Sequence, residues 1–231
     1  MDPRHRDRVA FVRVCSGRFT KDMALSNSRL GKPIRASRAY RFFGRDRETI
    51  EVAYAGDIIG LVNPGQFAIG DTLHSGPALR FPDVPRFPAE HFARIRLTDK
   101  RYKQFDEGMK QFEEEGLMQV FYVSGGRREP IVGVVGALQY DVIISRLKGE
   151  YGVTAEAEPA EYAAARWLGA MDGPIPPPGG SSVMAVDRHD RRVFLFASEW
   201  ELRYFERHHP HVVLLDESPV MPMKSGASGG R

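Results

Sequence analysis

Residues 130–153, PIVGVVGALQYDVIISRLKGEYGV, decide how this chain folds. Ile131, Val132, Val134 and Val135 are β-branched, and only Gly133 interrupts them, which is the composition of a buried strand. Gly136 frees the backbone to turn. From Leu138 the period lengthens: Leu138, Val142, Ile143, Leu147 and Tyr151 share one helical face, with Asp141, Ser145, Arg146 and Lys148 mostly on the others. Gly152 suits a helix stop, and residues 153–157 can begin another strand. Strand, glycine turn, amphipathic helix and strand predict a compact α/β unit.

Upstream of this stretch, HFARIRL at 91–97 alternates as a strand, and Thr98 or Asp99 is placed to cap a helix. Tyr102, Phe105, Met109 and Phe112 follow at helical spacing and read as a core stripe. Glu113, Glu114 and Glu115 read as a solvated face rather than an acid/base pair, and Gly116 ends the helix. Residues 117–123 form a strand, and Ser124-Gly125-Gly126-Arg127 a hairpin turn. The order is β-α-β-β-α-β, the ferredoxin-like arrangement. Downstream, 162–168 reads as a strand, 172–181 as a Pro/Gly loop, and 183–186 and 193–196 as strands flanking a polar turn at 188–191. Ser198-Glu199-Trp200-Glu201 is a capping box opening a helix on which Trp200 and Tyr204 share a face. A short strand at 211–215 closes a ββαβ tail.

Residues 1–85 carry no helical pattern. RVAFVRV at 8–14 is a strand, Ser16-Gly17 a tight turn, and 18–25 the returning strand. Residues 27–33 are polar and loop-like; 34–43 alternates loosely; Gly44-Arg45-Asp46-Arg47 is a turn. VAYAGD leads into Ile58–Leu61, Asn63-Pro64-Gly65 breaks the run, and Ile69-Gly70-Asp71-Thr72 precedes Leu73. Short strands punctuated by turns predict a closed β-barrel. Gly56 and Gly70 permit sharp turns, and Asp57 and Asp71 can accept from nearby backbone amides. Pro82, Pro85 and Pro88 mark the boundary. The fold class is therefore mixed: a barrel at 1–85, then an α+β domain at 86–218 made of a ferredoxin-like unit (86–157) and a smaller α/β tail (158–218). Residues 219–231, rich in Gly and Ser, are expected to be disordered.

With 231 residues, 42% hydrophobic and 27% charged, the chain can bury a core without staples. Its net charge is only +3, but residues 1–50 hold 13 Lys/Arg against 5 Asp/Glu. That asymmetry points the front half toward phosphate, solvated strand faces being the plainer reading. Cys15 is the only cysteine, which excludes an internal disulfide; its apolar alternation reads as core. No apolar run reaches the ~18 residues of a membrane span, and MDPRHRDR is not a signal peptide, so a cytoplasmic location is expected. Met1 stands just before a strand already under way, which suggests a fragment lacking its upstream part.

The chemistry-bearing motifs are few. Gly31-Lys32-Pro33 lacks the upstream glycine and the Ser/Thr of a phosphate loop, so no site for a nucleoside triphosphate and magnesium is read here. His208, His209 and His211 run through Pro210 rather than along one helical face, with no carboxylate or cysteine to complete a metal site. No catalytic, cofactor-binding or metal-ligating residue is assigned, and the chain is not expected to be an enzyme.

Two resemblances carry a sharper reading. RVAFVRVCSGRFTKDMAL, AGDIIGL and IGDTL resemble the second domain of translational GTPases, with Asp22 where that family usually has glycine. FARIRLTDKRYKQFDEGMKQFEEEGLMQVF, followed by IVGVVGALQYDVIISRLKGEYGV, resembles the third domain of the bacterial release factor 3 family, with Ala164 where threonine is more usual. The likeness covers most of residues 1–215. It implies translation termination: a ribosome-binding factor that promotes dissociation of class I release factors, driven by GTP hydrolysis, with GTP and Mg held in an N-terminal domain absent here. Implied partners are small-subunit ribosomal RNA, a small-subunit protein and that GTP-binding domain in cis; no membrane is expected, and the chain is read as a monomer. Arg4, Arg6, Arg8, Arg18 and Lys21 are the first candidates for RNA contact, with Lys100, Arg101 and Lys103 a second patch. Three alternatives stay open: a free-standing RNA-binding barrel module, a metal-dependent hydrolase using the histidines, and the equivalent part of elongation factor G.

Overall fold

The computed structural model describes residues 8–217, except 45, 63–66, 83, 85–86, 125–128 and 171–172. The expectations for Arg4, Arg6, Arg45, the break at 63–65, Pro85, the turn at 125–127 and the tail at 219–231 lie outside the described residues. Two compact units part after Val84.

The first unit is all β: β1 (Val9–Arg13), β2 (Arg18–Thr20), β3 (Ala24–Asn27), β4 (Lys32–Arg35), β5 (Ala39–Phe43), β6 (Asp46–Thr49), β7 (Val52–Tyr54), β8 (Ile58–Val62) and β9 (Leu73–His74). They form sheets β1-β8-β5-β6, β2-β7 and β4-β3-β9 around one core that includes Phe19, Leu25, Ile59 and Leu61. This is the expected barrel, but its pairing is less local than the sequence implied. β1 and β2 do not form a hairpin: β1 pairs with β8 and β2 with β7, so the bend at Ser16-Gly17 passes the chain from one sheet to the next. Of residues 27–33, only 28–31 form a turn. Asn27 and Lys32 pair in the β3–β4 hairpin, and Asp46 and Arg47 belong to β6 rather than to a turn. Cys15 is exposed, because the strand ends at Arg13 and the alternation stops with it. Asp22 takes φ 64°, the left-handed backbone that glycine would supply.

The second unit contains β10 (His91–Leu97), α1 (Tyr102–Glu114), β11 (Gln119–Val123), β12 (Ile131–Val134), α2 (Gln139–Tyr151) and β13 (Ala155–Pro159). Its remaining elements are β14 (Ala164–Leu168), β15 (Val183–Asp187), β16 (Arg192–Phe196), α3 (Glu199–His208) and β17 (Leu214–Leu215). The first six elements make the β-α-β-β-α-β order. The tail lies in the same compact unit. Phe121 to Val123 pair with Asp187 to Ala185, which joins both halves into one eight-stranded sheet, β13-β10-β12-β11-β15-β16-β14-β17. The sheet curls: the Phe121 and Trp167 rings lie 5.7 Å apart although β15 and β16 stand between their strands.

Alternation sorts the side chains. Ile95, Val120 and Val132 face the two helices, where Phe112, Ile143 and Leu147 are fully buried. Phe92, Phe121 and Ile131 face the opposite core with Trp167 and Leu195. Ala164 is buried with Phe194, Phe196 and Phe205 beneath α3. Gly133 lies between β10 and β11, and a Cβ there would stand 2.7 Å from Cβ of Ala89 and 3.1 Å from the Phe121 ring. Gly133→Val is therefore expected to lower the stability of this unit by about 3 kcal/mol in urea unfolding.

Several expected core and surface positions move. Of the α1 stripe, Phe105, Met109 and Phe112 are buried, but Tyr102 is exposed at the first turn. Leu138 and Val142 are also exposed, because α2 buries only the side bearing Ile143 and Leu147. Thr98 and Asp99 do not cap α1 directly; the N-cap is Arg101, and Asp99 accepts from the Arg101 amide at 2.8 Å and the Thr154 amide at 2.9 Å. Glu113 and Glu115 are not simply solvated. The last turn of α1 faces β11 and the turn after β15, so Glu113 accepts from Val120 N at 3.1 Å and pairs with Arg188 at 3.0 Å. Glu115 pairs with Arg146 at 2.6 Å. Burial pushes the Glu113 carboxyl above its ordinary range despite Arg188 and the Val120 amide. Ser198 does cap α3, accepting from the Glu201 amide at 3.2 Å; the Glu201 carboxylate turns instead to Ser181 and Ser182.

Candidate nucleic-acid interface

The barrel turns are built by two aspartates. Asp57 accepts from the Tyr54 amide at 2.8 Å, and Asp71 from the Ala68 amide at 2.9 Å. Asp71 does more than hold its own turn: it accepts from Asn27 Nδ2 at 2.7 Å and from both Nε and Nη2 of Arg29, at 2.5 and 2.8 Å. Asn27 Oδ1 in turn accepts from the Arg29 and Leu30 amides. Arg29 is thereby committed to the scaffold, while the strand ends around it carry the outward charge.

Arg18 opens β2 and is exposed, directly across from the exposed Tyr54 on β7. Lys21 is exposed in the following turn; its amide donates to Glu51 O at 2.8 Å, and the Asp22 amide to Ala36 O at 2.9 Å. Arg35, also exposed, precedes Ala36 and pairs with Ala24 in register, so it stands beside the same turn. The acidic neighbours there are Asp22 and Glu51. Arg8 is half-buried just ahead of β1. The structure leaves Arg18 and Lys21 exposed at the start of β2 and in the turn after it, and sets beside them Tyr54 and Arg35, which the sequence reading does not name. Their signal lies in cross-sheet pairing, β2 with β7 and β3 with β4, which local periodicity does not reveal. An arginine beside an aromatic ring can meet both phosphate and base, the two halves of single-stranded RNA recognition.

The second patch divides. Lys100 and Lys103 are exposed at the start of α1. Arg101 is engaged within the fold: its guanidinium donates to the Gly152 carbonyl at the left-handed stop of α2. The Asp99 carboxyl beside it is held below its ordinary range by the Thr154 and Arg101 amides.

Among the described residues no cluster of three or more His, Cys, Asp or Glu could hold a metal ion. His208 Nδ1 lies 2.8 Å from the Tyr204 carbonyl, and the His209 and His211 rings are 6.0 Å apart. A cleft of about 260 Å³ is lined by Arg94, Glu158, Glu161, Tyr162 and Ser181 among others. Among the described residues no helix is long and apolar enough to cross a membrane.

Comparison with known proteins agrees with this architecture. A family model described as Class II release factor RF3, C-terminal domain, matches residues 81–206, and one described as Elongation factor G domain 2 matches residues 1–76. The chain is 44% identical, over 95% of its length, to Peptide chain release factor 3 of Rippkaea orientalis, and covers 42% of that protein. It is 45% identical over 95% of its length to the protein of the same name from Gloeobacter violaceus, again covering 42%. For Synechocystis sp. the values are 44% over 87% of this chain and 38% of the relative. The chain thus spans about 42% of the length of the first two relatives. A crystal structure from Thermus thermophilus shares the fold with a TM-score of 0.56 at 19% identity, over 71% of this chain and 27% of that one. With more than half its residues matched by one model, and the barrel ahead of them matched by another, the chain belongs to the class II release factor RF3 family.

Proposed function

We propose that this chain is the ribosome-binding part of a translation-termination factor. In that reading the intact factor promotes dissociation of class I release factors from the ribosome. GTP hydrolysis in an N-terminal domain, which would also hold GTP and Mg, drives the step; this chain performs no catalysis. The barrel leans on small-subunit ribosomal RNA through the Arg18, Lys21 and Arg35 edge, with Arg4, Arg6 and Arg8 ahead of it in the chain; Lys100 and Lys103 of the α+β unit are a second, independent contact. The α+β unit lies against a small-subunit protein. The factor acts as a cytoplasmic monomer, and nucleotide state in the GTP-binding domain sets how these domains press on the ribosome.

The observation that carries the reading is the tandem match: barrel, then eight-stranded α+β unit, in one chain 44% identical to release factor 3 over 95% of its length. The physical support is the cationic barrel edge, since each neutralised phosphate releases counterions. The test is competition. Excess chain added to ribosomes with an intact release factor 3 should slow release of the class I factor, by occupying the same site without the GTP-driven step. Unaltered release at saturating chain contradicts the proposal.

A further inference from the structure

The outer face of α3 carries a feature that the barrel reading leaves unused. Trp200, Tyr204 and His208 stand four residues apart and stack as a column. The Trp200 and Tyr204 ring centroids are 5.2 Å apart, and those of Tyr204 and His208 3.9 Å, both pairs at 25° between planes. The column is exposed: Trp200 keeps 69% of its surface and Tyr204 50%. It is also pre-ordered, because His208 Nδ1 lies 2.8 Å from the Tyr204 carbonyl. The opposite face of α3 anchors the helix through Leu202 and Phe205, both buried against Phe194 and Phe196.

Charge selects the partner. At 3.6 residues per turn, Arg203 and Arg207 flank the column on its outer side. The acidic residues of the helix lie elsewhere: Glu199 and Glu206 beyond Arg203, and Glu201 turned toward Ser181 and Ser182. Arg203 also pairs with Glu199 at 3.5 Å, both well exposed, an interaction that a phosphate can replace. Stacked rings beside arginines form a surface on which unpaired bases stack while their phosphates meet guanidinium groups. Such a surface is indifferent to base identity and cannot use the buried bases of a duplex.

We infer that the Trp200–Tyr204–His208 face of α3 is a stacking site for single-stranded RNA, separate from the cationic barrel edge. The ordered column loses little side-chain freedom on binding, which favours affinity.

The test uses the whole chain and a labelled single-stranded RNA of about 12 nucleotides, with fluorescence anisotropy as readout. Trp200→Ala and Tyr204→Ala should each weaken binding about tenfold. Trp200→Phe should keep most of it, and a duplex of the same sequence should compete poorly. The chain has two tryptophans, and Trp167 is buried, so RNA-induced quenching should come from Trp200 and vanish in Trp200→Phe. Arg18→Gln with Lys21→Gln serves as comparator: its loss of small-subunit binding reports on the barrel alone. RNA affinity unchanged in both alanine variants, or duplex bound as well as single strand, overturns the inference. Weakened small-subunit binding in Trp200→Ala with unchanged RNA affinity does so too, and assigns the face to a protein.

Discussion

Asp187→Ala should unfold the C-terminal unit more readily than any surface change, with a loss of about 3–5 kcal/mol. The side chain is only 5% exposed, and it serves four donors. Oδ1 accepts from the His189 and Arg191 amides at 2.9 and 3.0 Å, and Oδ2 from Trp167 Nε1 at 3.0 Å and Arg191 Nε at 2.7 Å. Truncation leaves the Trp167 indole N–H buried without an acceptor, and frees the turn that presents Arg188 to Glu113. Asn in its place keeps one acceptor oxygen and should cost less, about 1–2 kcal/mol. Trp167 fluorescence during urea unfolding reads the change directly. A midpoint for Asp187→Ala equal to that of the wild type would show that the hub is dispensable.

Asp71→Ala is the corresponding lesion in the barrel, with an expected loss of about 3 kcal/mol. The carboxylate side chain is 7% exposed, and Asn27, its partner, is fully buried. Without Asp71 the Asn27 amide loses its acceptor, and the β3–β4 hairpin and the turn before β9 lose their shared anchor. The same site responds to acid. Burial alone would raise the Asp71 carboxyl, but Arg29, the Ala68 amide and Asn27 together outweigh it and hold the group below its ordinary value of 3.8. A folded-state pKa below the unfolded one means that the stabilisation is complete above the unfolded value. It is lost as pH falls through the lower, folded value. Barrel stability should therefore drop below about pH 4 in the wild type and be flatter there in Asp71→Asn. Hydrogen exchange of the β3 and β9 amides follows the barrel alone, since both tryptophans lie in the other unit.

What the sequence makes legible divides along a physical line. Local signals read well. The strand–glycine–helix stretch at 130–153, the Ser198 cap, the left-handed stop at Gly152 and the two turn aspartates depend on residues within a few positions of one another. Partners far apart in the chain do not read. Asn27 looks like part of a polar loop because its acceptor, Asp71, lies 44 residues on. Glu113 looks solvated because Arg188 is 75 residues away. Tyr102, Leu138 and Val142 fit a helical stripe yet stay exposed, since periodicity gives a face but not how far the opposing layer extends. In the site, exposed Arg18 and Lys21 follow from strand ends, but no local signal shows that Arg101 is already engaged by Gly152. Trp200 and Tyr204 are legible as one face; that His208 continues the stack, and that the face looks outward, requires the packing of α3.

The most direct measurement is binding of this chain to purified small ribosomal subunits across a salt series. A cationic barrel edge on ribosomal RNA predicts that log affinity falls linearly with log salt. The slope should shrink by about one for each of Arg18→Gln and Lys21→Gln. Binding that ignores salt, or slopes identical in wild type and both variants, would contradict it.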